Sequence, residues 1–350
     1  MNFDTTRLYA VVMAGGRGER FWPAGRRNRP KQLLPLLGNH TMIEETVQRL
    51  FPLIAPERLL AITNAAYEER IRELLPIPAE NVIGEPEGRD TAPCVALATA
   101  LVRRRDPGAT MILLPADHVI RPAKLFQETL LAAAVAAQQG DLVTLGITPT
   151  FASTGYGYLH LGESVGDGFR RVREFREKPD AATAERFFRD GNYRWNSGMF
   201  VWRCDVIGAA FAEHAPALAA KLETWSAGAD YRRDFGECEK ISIDYAVMEK
   251  AHNVLAGDTE FYWNDIGSWS ALRTVLPPDE NGNVVRGNAV LLESSGNVIL
   301  NDGGELIGVI GMNDVAVVKS GDGILIAPLR EEQKVRELIR RIQQQNPEFL

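Results

Sequence analysis

The sequence predicts an α/β protein with a mostly parallel, mixed sheet, followed by a small β-rich C-terminal domain that ends in a helix. The first observation is that short, almost continuously apolar runs alternate with helical patterns, as in sheets covered by helices on both faces. The second is that β-like runs separated by glycines take over after about Pro277. The third is an amphipathic helical pattern near the end of the chain.

The alternating runs predict the elements of the first domain. Strands are predicted over residues 8–13, 59–63, 111–115 and 142–146. Thr41 and Glu44 form a capping-box pattern, which predicts a helix from residue 41 to about residue 50. Further helices are predicted over residues 66–75, 92–104 and 123–139. A chain of 350 residues can form two unequal domains, which we place at residues 1–277 and 278–350.

The predicted C-terminal domain resembles a partial β-helix. Its short β-like runs cover residues 289–292, 297–300, 306–310, 315–318 and 324–326. Residues 331–345 then predict an amphipathic helix, because one helical face collects the apolar residues Val335, Leu338, Ile339 and Ile342. A domain this small leaves strand edges and faces that need cover, so we expect a homodimer to which this tail contributes.

Composition excludes several classes of protein. Apolar residues make up 45% of the chain, which suits an ordinary globular core, and the net charge of −7 argues against nucleic acid as the main partner. No apolar run approaches the length of a membrane span, and the N-terminus lacks the pattern of a signal peptide. The three cysteines are far apart, which favours reduced thiols in a cytoplasmic protein.

A cationic, glycine-rich loop follows the first predicted strand. Residues 17–31 contain five Arg and one Lys against one Glu, a local charge of +5 on an acidic protein. Glycines let backbone N–H groups approach an anion and cations neutralise it, so the loop predicts a phosphate site and a nucleotide substrate. The loop lacks a Walker pattern, and Phe21 stands where a dinucleotide-binding loop has its last glycine. The alternative is a basic surface loop, and we favour solvated surface charge for Arg17, Arg26, Arg27 and Arg29.

An ordered set of motifs resembles the sugar-nucleotide pyrophosphorylase family. The motifs are residues 15–23 (GGRGERFWP), 29–32 (RPKQ), 85–93 (EPEGRDTAP), 115–118 (PADH), 155–158 (GYGY), 177–179 (EKP), 195–200 (WNSGMF), 242–246 (SIDYA) and 263–269 (WNDIGSW). The FWP and PKQ portions are most similar to the guanylyl-transferring, mannose-specific branch of that family. The resemblance implies a Rossmann-like nucleotidyltransferase core. It also implies Mg²⁺-dependent conversion of GTP and α-D-mannose 1-phosphate into GDP-mannose and pyrophosphate.

The resemblance assigns the phosphate and metal contacts. Backbone N–H groups of Gly15, Gly16 and Gly18 would surround the triphosphate. Arg20 would hold the leaving β- and γ-phosphates with its planar guanidinium, and Lys31 would place a charge near the α-phosphate. Mg²⁺ prefers hard oxygen ligands, which two carboxylates would supply. In the family pattern these carboxylates are Asp117 and Asp265. Without the resemblance, Asp117 would fit a helix cap or a turn residue, and Asp265 would fit an Asx turn.

The resemblance also assigns the base contacts. Glu85 would accept hydrogen bonds from the N1–H and N2–H donors of guanine, and it would reject adenine, which presents an acceptor there. Gly88 would allow close approach of the base. The same segment is completed by Arg89, Asp90 and Thr91. Asp90 stands where the family usually has Asn, and Glu19 where it often has Ser or Thr, so the roles of these two acids stay open.

Sugar contacts are expected from the second half of the first domain. Tyr156 and Gly157 lie in a turn where an aromatic ring can pack on a pyranose face. Glu177 would accept hydrogen bonds from mannose hydroxyls, and Lys178 would pair with the sugar phosphate. Asn196 would offer its amide to further hydroxyls. Taken singly, these residues fit structural or solvated positions, and it is their shared order with the family that indicates a sugar site.

Two alternatives remain open from the sequence. The first is a related sugar-1-phosphate nucleotidyltransferase with another base or sugar. The second is a non-catalytic regulatory subunit that senses a GDP-sugar, which is disfavoured because Arg20, Lys31, Asp117 and Asp265 are all present.

Overall fold

The computed structural model describes residues 3–16 and 18–350, and it confirms the predicted α/β fold with a β-rich C-terminal part. The strands are β1 (Leu8–Ala14), β2 (Leu59–Asn64), β3 (Val82–Glu85), β4 (Thr110–Pro115), β5 (Val119–Arg121), β6 (Leu142–Ile147), β7 (Tyr158–Gly166), β8 (Phe169–Arg176), β9 (Tyr193–Arg203), β10 (Val254–Asp258), β11 (Tyr262–Asn264), β12 (Val284–Arg286), β13 (Ala289–Leu292), β14 (Val298–Asn301), β15 (Ile307–Ile310), β16 (Val315–Ser320) and β17 (Gly323–Pro328). The α-helices are α1 (Met42–Gln48), α2 (Glu68–Leu74), α3 (Thr91–Arg105), α4 (Ala123–Ala136), α5 (Ala181–Asp190), α6 (Cys204–His214), α7 (Pro216–Ser226), α8 (Leu272–Val275) and α9 (Val335–Gln345).

One compact unit contains the chain up to Gly15 together with Val47–Pro115 and Ile120–Tyr262. Within its described residues, nine strands form a mixed sheet in the order β3-β2-β1-β4-β9-β6-β10-β8-β7. The strands β3, β2, β1 and β4 are parallel neighbours, whereas β9 runs antiparallel to both β4 and β6. The carboxyl ends of β1, β3 and β4 therefore meet at one edge, where ligands bind in sheets of this kind.

Burial explains why β1, β2 and β4 lack any apolar/polar alternation. Nearly all their residues are buried, as expected for strands covered on both faces. The hydroxyl of Thr63 is a buried polar group in β2, and it donates to the Ala14 carbonyl at 3.1 Å. The alanine-rich helix α3 buries most of its residues in the same core. The predicted strands and helices of this region are thus confirmed, with small shifts at their ends.

The second compact unit contains Gly16–Thr46, Ala116–Val119 and Trp263–Leu350. Its parallel strands stack in two columns, β12-β14-β16 and β13-β15, as the coils of a partial β-helix do. A ladder of buried asparagines lies beside the first column. Asn297 donates from Nδ2 to Asn283 Oδ1 at 3.0 Å, and its own Oδ1 accepts from the Val315 N–H at 3.0 Å. These bonds satisfy polar groups that burial would otherwise leave unpaired.

The glycine-rich segment packs within this second unit. Phe21 is buried and meets the edge of Trp269 with ring centroids 4.8 Å apart. Trp22 donates from its indole N–H to the Phe349 carbonyl at 2.9 Å. Each compact unit is therefore formed from segments that are not contiguous in sequence. The predicted domain boundary after residue 277 stays a prediction.

Two further findings concern the whole described chain. In residues 3–16 and 18–350, no helix combines the length and the apolar character needed to cross a membrane. Cys94, Cys204 and Cys238 are buried and carry free thiols.

Candidate active site

Lys31 is the centre of a charged cluster in the second unit. It lies in a short 3-10 helix, Lys31–Leu33, and only 8% of its side chain is exposed. Its ammonium donates to Asp117 Oδ2 at 2.7 Å and also to the main-chain carbonyl of Asp265. One cation thus joins two residues that are far apart in sequence and that were predicted to act together.

Two glycines leave the space that this cluster needs. Gly18 has φ +62°, and a Cβ there would lie 2.5 Å from the main-chain nitrogen of Lys31. A larger residue at position 18 would therefore displace the lysine. A Cβ on Gly267 would lie 3.4 Å from both Arg20 Nη1 and Asp265 Oδ2. The predicted leaving-group arginine and the predicted metal ligand therefore border the same glycine. Arg17, which we predicted to be surface charge, lies outside the described residues.

The backbone at Asp265 is strained. Ile266 has φ +40°, a conformation that costs energy for a β-branched residue, and its N–H bonds to Asn264 Oδ1 at 2.7 Å. Such strain occurs where surrounding structure holds a functional residue in place. This bond forms an Asx turn with the side chain of Asn264, whereas the sequence suggested an Asx turn at Asp265.

Asp117 is held in its ionised form. Burial alone would raise its pKa, but the charge of Lys31 and the hydrogen bond from Lys31 outweigh this and hold the pKa below its ordinary value of 3.8. His118 Nδ1 accepts from the indole N–H of Trp263 at 3.1 Å, which fits a structural role. In the part of the chain that the structure describes, no group of three His, Cys, Asp or Glu gathers as a metal centre. Asp117 and Asp265 offer two carboxylates, which suits an ion that takes its other ligands from phosphates and water.

Glu85 is a buried acid at the carboxyl end of β3. It is 4% exposed, and its Oε1 has no hydrogen-bond partner among the described residues. Burial raises its pKa to about 7, although a hydrogen bond from Cys94 opposes this. A Cβ on Gly15 would lie 3.3 Å from Glu85 Oε2, so the loop backbone runs close to the carboxylate. A buried acceptor without a partner costs free energy, and a ligand that donates to it would remove that cost.

The residues after Glu85 shape the start of α3. Space around Gly88 is open, since a Cβ there would meet nothing within 4 Å. Asp90 has φ 66° and caps the helix by accepting from the Thr91 N–H at 2.8 Å. Arg89 donates to Glu87 at 2.9 Å, while its Nε is buried without a partner in the described chain. The structure thus gives Asp90 a capping role that its departure from the family pattern left open.

The predicted sugar residues gather in the first unit. Glu177 is paired with Lys178, which has φ 41°. A Cβ on Gly157 would lie 2.4 Å from Glu177 Oε2 and 3.4 Å from the Cβ of Asn196, so only glycine fits there. Tyr156 differs from the others in that its contact is with an aromatic ring, since its ring centroid lies 4.9 Å from that of Trp195. Its predicted packing on a pyranose face stays a prediction.

One acid of this cluster was missed by sequence reasoning. Asp244 Oδ1 accepts from Asn196 Nδ2 at 3.0 Å. Burial, and next the charge of Glu177, raise the pKa of Asp244 to about 7, against the opposing charge of Lys178. The SIDYA motif that contains Asp244 was part of the family resemblance, but nothing in its spacing indicates a contact with Asn196.

Comparison with known families decides what kind of protein this is. A family model described as nucleotidyl transferase matches residues 9–282. The chain belongs to the nucleotidyl transferase family. A second model, described as a MannoseP isomerase/GMP-like beta-helix domain, matches residues 287–342 of this nucleotidyl transferase.

Relatives of this nucleotidyl transferase share most of its length. It is 38% identical over 344 residues to the xanthan biosynthesis protein XanB of Xanthomonas campestris pv. campestris, covering 95% of this chain and 72% of the relative. It is 36% identical over 352 residues to a mannose-1-phosphate guanylyltransferase of Klebsiella pneumoniae, covering 96% of this chain and 74% of that one. A Thermus thermophilus structure described as a mannose-1-phosphate geranyltransferase has a TM-score of 0.89 and 38% identity, covering 96% of this chain and 99% of the other.

Proposed function

We propose that this nucleotidyl transferase converts GTP and α-D-mannose 1-phosphate into GDP-mannose and pyrophosphate. The observation that carries the proposal is the buried, unpartnered Oε1 of Glu85 at the carboxyl end of β3. Guanine presents two adjacent N–H donors, which an ionised carboxylate accepts, whereas adenine presents an acceptor that it repels. The relatives described as mannose-1-phosphate guanylyltransferases support the same substrate pair.

The reaction needs positioning and charge rather than a general base. A phosphate oxygen of mannose 1-phosphate attacks the α-phosphorus of GTP in line, and the bond from that phosphorus to the β-phosphate oxygen breaks. The nucleophile is already an anion at neutral pH, so no proton has to be removed. Two polyanions must be held together while charge builds on the leaving pyrophosphate, which makes electrostatic stabilisation the main contribution.

The charged cluster of the second unit has the residues for this task. Lys31 supplies a point charge to the α-phosphate, and Arg20 supplies a planar, two-pronged donor to the leaving phosphates. In this unit, backbone N–H groups of Gly16 and Gly18 would contact the triphosphate, and Gly16 has open space around it. Lys31 is held by Asp117 and Asp265 before any substrate binds, so its placement costs little when the substrates arrive.

Mg²⁺ belongs to the proposal as the cofactor. The donor chemistry fits, because Asp117 is ionised and Asp265 borders the same cluster through Lys31. These two carboxylates would hold the ion, which when bound would neutralise phosphate charge. The glycine at position 267 keeps the space beside the Asp265 carboxylate open.

The cluster of the first unit would select the substrates. Glu85 would accept from the base, with Gly88, Arg89 and Thr91 in the same segment. Glu177 and Asn196 would bond to the mannose hydroxyls, and Lys178 would pair with the sugar phosphate. Free thiols at all three cysteines suit a reducing compartment, so the proposal places the enzyme in the cytoplasm.

We further propose a homodimer formed through the β-helix. Large apolar side chains are exposed there and line one concave surface, formed by Leu306, Ile310, Met312, Ile324 and Ile326. Ile310 is 71% and Ile326 67% exposed, which is costly for a monomer in water. We call these five residues the β-helix surface. A second copy, which carries the same surface, is the partner best matched to it, because two-fold contacts are self-complementary.

A panel of substrates tests the proposed reaction. Pyrophosphate release is measured with GTP, ATP, UTP or dTTP, each with mannose 1-phosphate or glucose 1-phosphate, in the presence of Mg²⁺. We expect the fastest release with GTP and mannose 1-phosphate. Faster release with another base or sugar would contradict the specificity, and binding of GDP-mannose without release in any combination would contradict catalysis.

A further inference from the structure

Asp244 is a titratable residue that the proposed chemistry does not use. It begins a five-residue π-helix, Asp244–Met248, and π-helical turns are frequent at functional sites. Its carboxylate faces the Asn196 amide at 3.0 Å and feels the charges of Glu177 and Lys178. The charge of a second acid disfavours the ionised form of a buried acid, so this arrangement costs free energy.

The contact fixes the amide of Asn196. The Oδ1 atom of Asn196 accepts from the Thr144 hydroxyl at 3.0 Å and from the Gly198 N–H at 3.2 Å. Its Nδ2 donates one hydrogen to Asp244. An amide offers two acceptor positions and two hydrogens, so a single N–H is left for a ligand. The amide cannot flip without losing these bonds.

The backbone that carries Asp244 is tied to the base-reading segment of the same unit. The Ile243 N–H donates to Thr91 Oγ1 at 2.8 Å, and the Ala92 N–H donates to the Ile241 carbonyl at 3.0 Å. Both bonds join the start of α3 to the residues directly before Asp244. The carboxylate is therefore held by rigid neighbours rather than by a free loop.

We propose that Asp244 is a positioning residue for sugar recognition, which holds the Asn196 amide so that its remaining N–H meets a hydroxyl of the sugar 1-phosphate. This inference rests on the proposed function, because it assigns Asn196 to the sugar. Asp244 acts through Asn196 on the sugar substrate and leaves the nucleotide unaffected.

Steady-state kinetics with each substrate varied in turn test the inference. In Asp244→Ala we expect the KM for mannose 1-phosphate to rise about tenfold or more, as for a lost buried hydrogen bond, with the KM for GTP within about twofold. Asp244→Asn should recover most of the loss, because its side-chain carbonyl still accepts from Asn196. Lys250→Gln, which lies just after the same π-helix and is exposed in the wild type, is the control and should change neither constant.

A double-mutant cycle separates positioning from general damage. If Asp244 acts through Asn196, Asp244→Ala combined with Asn196→Ala should be no worse than Asn196→Ala alone. Additive losses, or equal rises in both KM values, would overturn the inference. Asp244→Ser is a smaller change and replaces Asp244→Ala if that variant does not fold.

Calorimetric binding of mannose 1-phosphate distinguishes this inference from the proposed reaction. Weaker binding by Asp244→Ala than by the wild type supports the inference even if no pyrophosphate is released. Equal binding by the two proteins overturns it, whatever the turnover of the wild type.

Discussion

The acids of the two compact units differ in how their charge is compensated. In the second unit, Asp117 has the ammonium of Lys31 at 2.7 Å, and its pKa is held below the ordinary value. In the first unit, Glu85 and Asp244 are poorly compensated, and burial raises the pKa of each to about 7. A paired, ionised carboxylate suits phosphates and a cation. The free acceptor of Glu85 suits the neutral N–H donors of a base, and Asp244 suits the amide N–H of Asn196.

The largest effects are expected from the acids of the second unit. Asp117→Asn and Asp265→Asn nearly keep the shape and remove a charge, so we expect turnover to fall by about two to four orders of magnitude. Pyrophosphate release at saturating substrates and varied Mg²⁺ measures this. Asp205→Asn, which removes an exposed acid paired with Arg203, is the control and should be near the wild type. Near-normal turnover of Asp265→Asn at limiting Mg²⁺ would rule out a metal role for it.

The cations of the same cluster come next. Lys31→Met keeps the apolar stem and removes the charge, and we expect it to reduce kcat by about a hundredfold with a smaller change in KM for GTP. Arg20→Lys keeps the charge and loses the planar fork, so it should also be seriously impaired. Stopped-flow or steady-state rates at several GTP concentrations separate the two constants. A Lys31→Met enzyme in which only KM changes would show a uniform binding contact instead.

The uncompensated acid of the first unit should reduce stability. Glu85 has a pKa of about 7 in the folded chain and an ordinary value of 4.5, so the folded state binds more protons between these values. Stability therefore falls as pH rises from about 4.5 to 7 and stays reduced above that, by up to about 3 kcal/mol. Glu85→Gln should remove the part of this slope that Glu85 contributes, leave the part from Asp244, and raise the free energy of unfolding at pH 8 without ligand.

The neighbouring acid Glu87 gives the control for that measurement. Its side chain is 52% exposed, so Glu87→Gln should leave the pH dependence of unfolding unchanged. A wild-type slope in Glu85→Gln would show that Glu85 is not the group that titrates.

The smallest effect on catalysis is expected from the β-helix surface. Replacing Ile310 and Ile326 by Lys places charges on a face that we propose to be covered by a second copy. We expect monomers in light scattering at micromolar concentrations, with turnover close to that of the wild type. An intact wild-type chain that is already a monomer under these conditions would contradict the dimer and leave the catalytic proposal as it stands.

Local sequence patterns predicted the elements that local physics determines. The strands β1, β2 and β4 are continuous apolar runs, and α3 has a strong helical pattern. The strand β9 was missed because its sequence mixes polar residues with Gly198 at φ +69°, and its place is set by pairing with distant strands. The packing of Phe21 on Trp269 likewise joins two segments that are distant in sequence, and hydrophobic periodicity does not predict such a contact.

The candidate site was predictable only to the level of residue types. The family resemblance indicated Lys31, Asp117 and Asp265, but the structure was needed to find that one ammonium contacts both aspartates. The structure was also needed to find the capping bond of Asp90, which is local in sequence. It was needed again for the contact of Asp244 with Asn196, which joins distant parts of the sequence. The raised pKa of Glu85 depends on burial at a strand end, which composition and spacing do not reveal.

The ratio of kcat/KM for GTP to that for ATP tests the division between the two clusters most directly. We predict that Glu85→Gln lowers this ratio about a hundredfold or more, because a buried site built for the donors of guanine loses its charge. Lys31→Met should lower both values equally and leave the ratio within about twofold of the wild type. A wild-type ratio in Glu85→Gln, or a collapsed ratio in Lys31→Met, would contradict the assignment of base reading to one cluster and phosphate chemistry to the other.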